Sequence, residues 1–101
     1  MTEHTDALYA QLLGETAPIL WSELEPFFAR GVLLQVASQI DLIEVAQAVA
    51  QDDKTKVSAW LSQQQLGHLQ ADQASHWQSG QIELWAVVVA PWVLVQERPL
   101  H

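Results

Sequence analysis

The stretch Glu83-Leu-Trp-Ala-Val-Val-Val-Ala-Pro-Trp-Val-Leu-Val-Gln96 decides how the rest of the chain is read. From Leu84 to Val95 it carries no charge, and it holds five valines and two tryptophans. β-Branched and aromatic side chains at this density suit strands buried on both faces. The run is too short to cross a bilayer, which takes ~20 apolar residues as a helix. Pro91 has no N–H to offer a ladder, so it should mark a bend, a bulge or an edge that splits the run in two. The segment is expected to supply the core strand or strands on which every earlier element packs.

A chain of 101 residues has room for one hydrophobic core. It is expected to fold as a single domain over residues 1–101, ordered from about residue 5 to 97, with a loose tail at 98–101. Half of its residues are apolar and five are tryptophan, enough to build a core unaided. The absence of cysteine excludes disulfides and thiolate metal sites and fits a reducing compartment. Met1-Thr-Glu-His-Thr-Asp6 lacks the basic and apolar regions of an export signal, so a cytoplasmic location is expected. Twelve acidic residues face only Arg30, Lys54, Lys56 and Arg98, for a formal charge of −8. Four scattered cations cannot line a groove that tracks phosphates, and acidity disfavours anionic membranes. Nucleic acid and membrane are therefore not expected as partners. The charge reads as a solvated surface that keeps an apolar domain soluble. Its sharper reading is attraction of a basic protein.

Along the chain, Thr5 to Gly14 reads as a first helix, capped by Thr5 or Asp6 and stopped by a left-handed Gly14. Ala7, Leu8 and Leu12 make its apolar stripe. Pro18 to Trp21 is a short extended piece. Ser22-Glu-Leu-Glu25 reads as a capping box opening a helix that carries Leu24, Phe27 and Phe28 on one face. Pro26 sits in or just past its first turn, where it costs little or one hydrogen bond. Gly31 to Ala37 is a second strand. Ser38 and Asp41 start the next helix, whose Leu42, Val45, Ala46 and Val49 fall at i, i+3, i+4 and i+7. Asp53 caps a further helix with Val57, Trp60 and Leu61 inward. Leu66 to Gln70 is a weak strand, Asp72 to Gln78 a short helix, and Ser79-Gly80 turns into the final segment. Strands separated by helices, in a sheet too small to be doubly wound, predict an α+β domain: helices packed against a three- to four-stranded mixed sheet.

Several of these pieces coincide with one family pattern. They are Leu12-Leu-Gly-Glu-Thr16, Trp21-Ser-Glu-Leu-Glu-Pro-Phe-Phe-Ala-Arg-Gly31, Asp41-Leu-Ile-Glu-Val-Ala46, Asp52-Asp53, Val57-Ser-Ala-Trp-Leu61 and the Leu84–Gln96 run. In that order they resemble the bacterial domain-of-unknown-function family 2288 over roughly residues 6–97, with residues 63–82 as its variable part. The resemblance implies a small stand-alone bacterial protein and carries no catalytic residue across.

The chemistry-bearing residues are few, and each has a plain structural reading. His68, Asp72 and His76 are spaced by four and would form a metal-holding stripe on one continuous helix. Gly67 beside His68 and a helix start near Asp72 break that stripe, so no metal or other cofactor is expected. Glu23, Glu25, Asp41 and Glu44 could pair carboxylates for acid–base work, although most explain themselves as caps and first-turn acids. No glycine-rich phosphate loop, nucleophile elbow or cysteine nucleophile is present, and no residue reads as catalytic. Trp21, Trp85 and Trp92 are candidate contact residues, since tryptophan is enriched in interfaces and pockets, and one of the pair Trp85 and Trp92 should be partly exposed. Arg30 beside Phe27 and Phe28 could anchor a carboxylate together with Glu25; its plain reading is an ion pair with Glu23, Glu25 or Asp41. Helices 41–51 and 53–64 followed by a weak strand resemble a winged helix-turn-helix, which the charge argues against. The expected function is a non-enzymatic protein-interaction or regulatory module that binds a protein partner or a second copy of itself. The alternatives are a small-molecule binder or enzyme built on Arg30, carboxylates and a tryptophan-lined pocket, and a nucleic-acid binder through residues 41–70.

Overall fold

The computed structural model describes residues 2–80 and 82–98, and the side chains from residue 7 onward within them. The elements follow in the order α1 (Thr2–Glu15), β1 (Ala17–Ile19), α2 (Trp21–Ala29), β2 (Leu33–Val36), α3 (Leu42–Ala50), α4 (Lys54–Ser62), β3 (Leu66–His68), α5 (Ala71–Ser79), β4 (Glu83–Val89) and β5 (Trp92–Arg98). The uncharged run becomes the β4–β5 hairpin. Val89 pairs with Trp92, so Ala90 and Pro91 alone make the turn, with a cis bond between them. Pro91 thus splits the run where a residue without an N–H costs no ladder bond.

The hairpin lies near the middle of a sheet ordered β1-β4-β5-β2-β3. β2 runs parallel to β5, and every other neighbouring pair is antiparallel. The sheet is mixed, as expected, but has five strands; β1 and β3 are three-residue additions at its two edges.

Strand alternation sends successive side chains to opposite faces, and both faces are covered. Leu34, Val36, Val87 and Leu94 meet Leu12 of α1 and Leu42, Ile43, Val45 and Ala46 of α3, with Val57 and Trp60 of α4 packed alongside. Leu33, Leu84, Ala86, Val93 and Val95 meet Leu24 of α2 and Ala74 and Trp77 of α5. The result is a three-layer sandwich, with α1, α3 and α4 on one face and α2 and α5 on the other. The α3 stripe works as its spacing requires: Leu42, Val45 and Ala46 are buried and Val49 partly so. Gln96 of β5 is buried as well, and its amide donates to the carbonyls of Ala37 and Ile40 at 2.8 and 2.7 Å. That pair of bonds ties the lead-in of α3 to the central hairpin.

Six local expectations are corrected. α1 begins at Thr2, so Thr5 and Asp6 are interior positions rather than caps; their side chains lie outside the described residues. It also continues through Gly14, because the Thr16 hydroxyl donates to the Leu12 carbonyl at 2.7 Å and the Thr16 N–H to Leu13, ending the helix without a left-handed glycine. Ala7 is exposed, and Tyr9 packs beside Leu8 in its place. The Ser22–Glu25 capping box does not form: α2 starts at Trp21, two residues earlier than a Ser22 cap would place it, after an uncapped Leu20. The Trp21 indole packs on Phe28 and Trp77, and burying it outweighs a surface cap. Ser38 donates to the Glu97 carbonyl, leaving Asp41 as the α3 cap. Finally, Arg98 belongs to β5 rather than to a loose tail, and residues 99–101 lie outside the described part.

Candidate functional site

Three helices end alike. In α2 the N–H of Gly31 reaches the Phe28 carbonyl and that of Val32 the Phe27 carbonyl. The same two bonds recur after α3 from Asp52 and Asp53, and after α4 from Gln64 and Gln65. This is the Schellman pattern, which needs its central residue in the left-handed region. Gly31 takes it at φ +74°, but Asp52 and Gln64 take it at φ 55° and 61° without the freedom of glycine. Both turns bracket α4, which Asp53 caps by accepting from the Lys56 N–H at 3.2 Å.

α4 is held at its ends and weakly along its length. None of its residues is fully buried. Val57 and Trp60 are half-buried against the core, whereas Leu61, expected inward, is 50% exposed. Beneath the helix runs a groove of about 440 Å³. Leu34, Leu66 and Trp92 of the sheet and Val49 of α3 face Val57 and Leu61 across it, with Asp52, Lys54, Ser58 and His68 adding polar groups. The His68 ring stands edge-on to Trp92, centroids 5.8 Å apart. A glutamine-rich cleft of about 430 Å³ along β3 shares Leu61, Leu66 and His68 with this groove. Leu61 therefore overhangs two depressions at once.

The residues singled out in the sequence are distributed over both faces. Trp92 and His68 come together in the groove. Trp85 lies on the same sheet face, but the Arg98 guanidinium covers its ring at 4.9 Å. Both Trp85 and Trp92 are partly exposed. Trp21 and Glu25 line a separate cleft of about 410 Å³ on the opposite face, with Trp77 and Ile82. Arg30 lines neither these three clefts nor a smaller one at β1. It makes no ion pair among the described residues; its guanidinium lies 5.1 Å from the Phe27 ring centroid. The expected pairing with Glu23, Glu25 or Asp41 is replaced by this stacking, since Arg30 caps the C-terminus of α2, away from the acids of its first turns. The carboxylates do not converge, because α2 with Glu23 and Glu25 and α3 with Glu44 pack on opposite faces. His68 on β3 is likewise separated from Asp72 and His76 on α5, and no metal-holding group of three such residues exists among the described residues.

Two polar contacts had no sequence signal. Trp77 donates its indole N–H to Glu97 at 2.9 Å across 20 residues. Tyr9 donates to Asp41 at 2.5 Å, which joins α1 to the cap of α3. This bond holds the Tyr9 hydroxyl above its usual range, because ionising it would lose the bond and set two negative charges together. Leu61 was misplaced because Val57, Trp60 and Leu61 give α4 only one turn of apolar spacing, too little to orient a helix from sequence.

Fold and groove together define a small three-layer α+β protein with a partly uncovered helix on one face. Residues 7–97 match the family model described as protein of unknown function, DUF2288, and the chain belongs to that family. It is also similar to PA1075 from Pseudomonas aeruginosa, known from an NMR solution structure. The two are 57% identical with a TM-score of 0.81, over 100% of this chain and 97% of that one. Comparison with proteins of curated function finds no match. No helix among the described residues is long and apolar enough to cross a membrane.

Proposed function

We propose that this protein is a non-enzymatic interaction module, acting in the cytoplasm, whose α4 groove receives apolar side chains of a protein partner. One observation carries the reading: α4 has no fully buried residue and holds Leu61 half-exposed above a floor of Leu34, Leu66 and Trp92. Such a surface gains by being covered, at about 25 cal/mol per Å² of apolar area. An aromatic floor ringed by a few polar groups is also the anatomy of an interface anchor. Acidity supplies the second half of the partner's description, favouring a basic surface around the apolar anchor.

The test is affinity capture from cell extract with wild type and Leu61→Asp in parallel. Wild type is expected to retain a partner that Leu61→Asp loses, while both melt at the same temperature. Equal retention by the two proteins, or none by either, counts against the groove.

The groove volume also falls in the range of small-ligand pockets. A small-molecule reading therefore moves from Arg30, which lines none of the clefts described, to Trp92 and His68. It predicts thermal stabilisation by an apolar ligand in a compound screen and loss of that shift in Trp92→Ala.

A further inference from the structure

α4 is joined to the rest of the molecule through one left-handed residue at each end. At its entrance Gln51 ends α3, Asp52 turns at φ 55° and Asp53 caps α4. At its exit Gln63 ends α4, Gln64 turns at φ 61°, and the Gln65 carbonyl already accepts from the Ala37 N–H. Neither turning residue is glycine, and a left-handed backbone crowds its Cβ against the following carbonyl. Such positions persist only where the surroundings hold them. Here the hold is slight. The Asp52 and Gln64 side chains are both exposed, and α4 itself rests on the core through Val57 and Trp60, each only partly buried.

We propose that α4 is a hinged cover over the groove, with Asp52 and Gln64 as its two hinges. Leaving the left-handed region at both residues lifts the helix off the floor beneath it. The inference rests on the reading of the groove as the partner's site and adds a device that controls access to it. With α4 closed, Leu34 and Leu66 of that floor are only 9% and 4% exposed. Lifting α4 uncovers them while its neighbours stay in place, α3 by its buried stripe and β3 by its pairing with β2. Strain at the hinges sets the balance between the two states. It raises the closed state alone, because in the open one both backbones return to ordinary dihedrals. The cover is therefore held shut by Val57 and Trp60 against its own turns, and an apolar side chain entering the groove takes over the floor that Val57 faces.

A graded series at the hinges tests this, read by amide exchange along α4 in the full chain. Gln64→Gly removes the strain and should slow α4 exchange about threefold, and Asp52→Gly should act in the same direction. Gln64→Val puts a β-branched side chain where φ is positive and should speed it about tenfold. Binding of the neutral apolar dye Nile red should follow the same order, weakest in Gln64→Gly and strongest in Gln64→Val. Interior amides of α3 report global unfolding, and so separate a hinge from a turn that matters only to overall stability. α4 amides that ignore the series while those of α3 follow it, or dye binding out of step with α4 exchange, overturn the proposal. The groove reading fails separately: a flat hinge series leaves partner capture by wild type untouched, and a hinge series in the expected order stands whether or not Leu61→Asp loses the partner.

Discussion

α3 and α4 are both nine residues long, both capped by an aspartate, and both closed by a Schellman turn with a non-glycine residue in the left-handed region. Six residues of α3 are buried and none of α4. Caps and turns therefore set where the two helices start and stop, and the apolar stripe alone sets how deeply each is held. α3 carries its stripe over two full turns and anchors the core. α4 carries one turn of it and is left as a partly covered flap, which is where an interaction surface can be accommodated without weakening the core.

Substitutions should separate the two helices, beginning with the largest effect. Leu42→Ala in α3 should destabilise by about 2–5 kcal/mol, since it empties a fully packed site. Leu61→Ala in α4 should change stability by less than about 0.5 kcal/mol, as for a surface position. Chemical denaturation of the two variants reads this difference directly. Gln96→Leu should follow at about 2 kcal/mol, because the carbonyls of Ala37 and Ile40 lose their donor. Between the caps, Asp41→Ala should cost about 1–2 kcal/mol and Asp53→Ala about 0.5–1 kcal/mol. The first carboxylate serves both the Ile43 N–H and Tyr9, whereas the second serves one N–H at longer range.

The Tyr9 bond gives the most specific effect. Tyr9→Phe should cost under about 1 kcal/mol, and only below the alkaline range. The folded hydroxyl titrates above the unfolded value of 10.0, so its contribution is fully present below that pH. It is lost as pH rises through the folded pKa. Wild type and variant should therefore differ in melting temperature at neutral pH and converge in strong alkali.

The comparison also explains what could be read in advance. The strand character of the 84–95 run, its division at Pro91, the α3 stripe and the Asp53 cap were legible because each follows from local composition or spacing. The capping box at Ser22 was misread because packing of Trp21 against Phe28 and Trp77 shifts the helix start by two residues, a tertiary effect. The sheet edges were only partly legible, since three-residue strands carry almost no periodicity. The groove was hidden for a related reason. Trp92 and His68 were both marked, but 24 residues separate them, and only the β3-β2-β5 order brings their rings together. Arg30 drew attention as a rare cation, and its stacking on Phe27, one turn back in its own helix, leaves it outside the groove.

Native-state hydrogen exchange along the two helices tests the central claim most directly, because it measures how firmly each is held in the same molecule. Interior amides of α3 should exchange only through global unfolding. Those of α4 should exchange through a local opening with a protection factor lower by at least about tenfold, a difference of about 1.4 kcal/mol. Equal protection in both helices would contradict the account, since α4 would then be as firmly packed as α3 and would have no uncovered surface to offer.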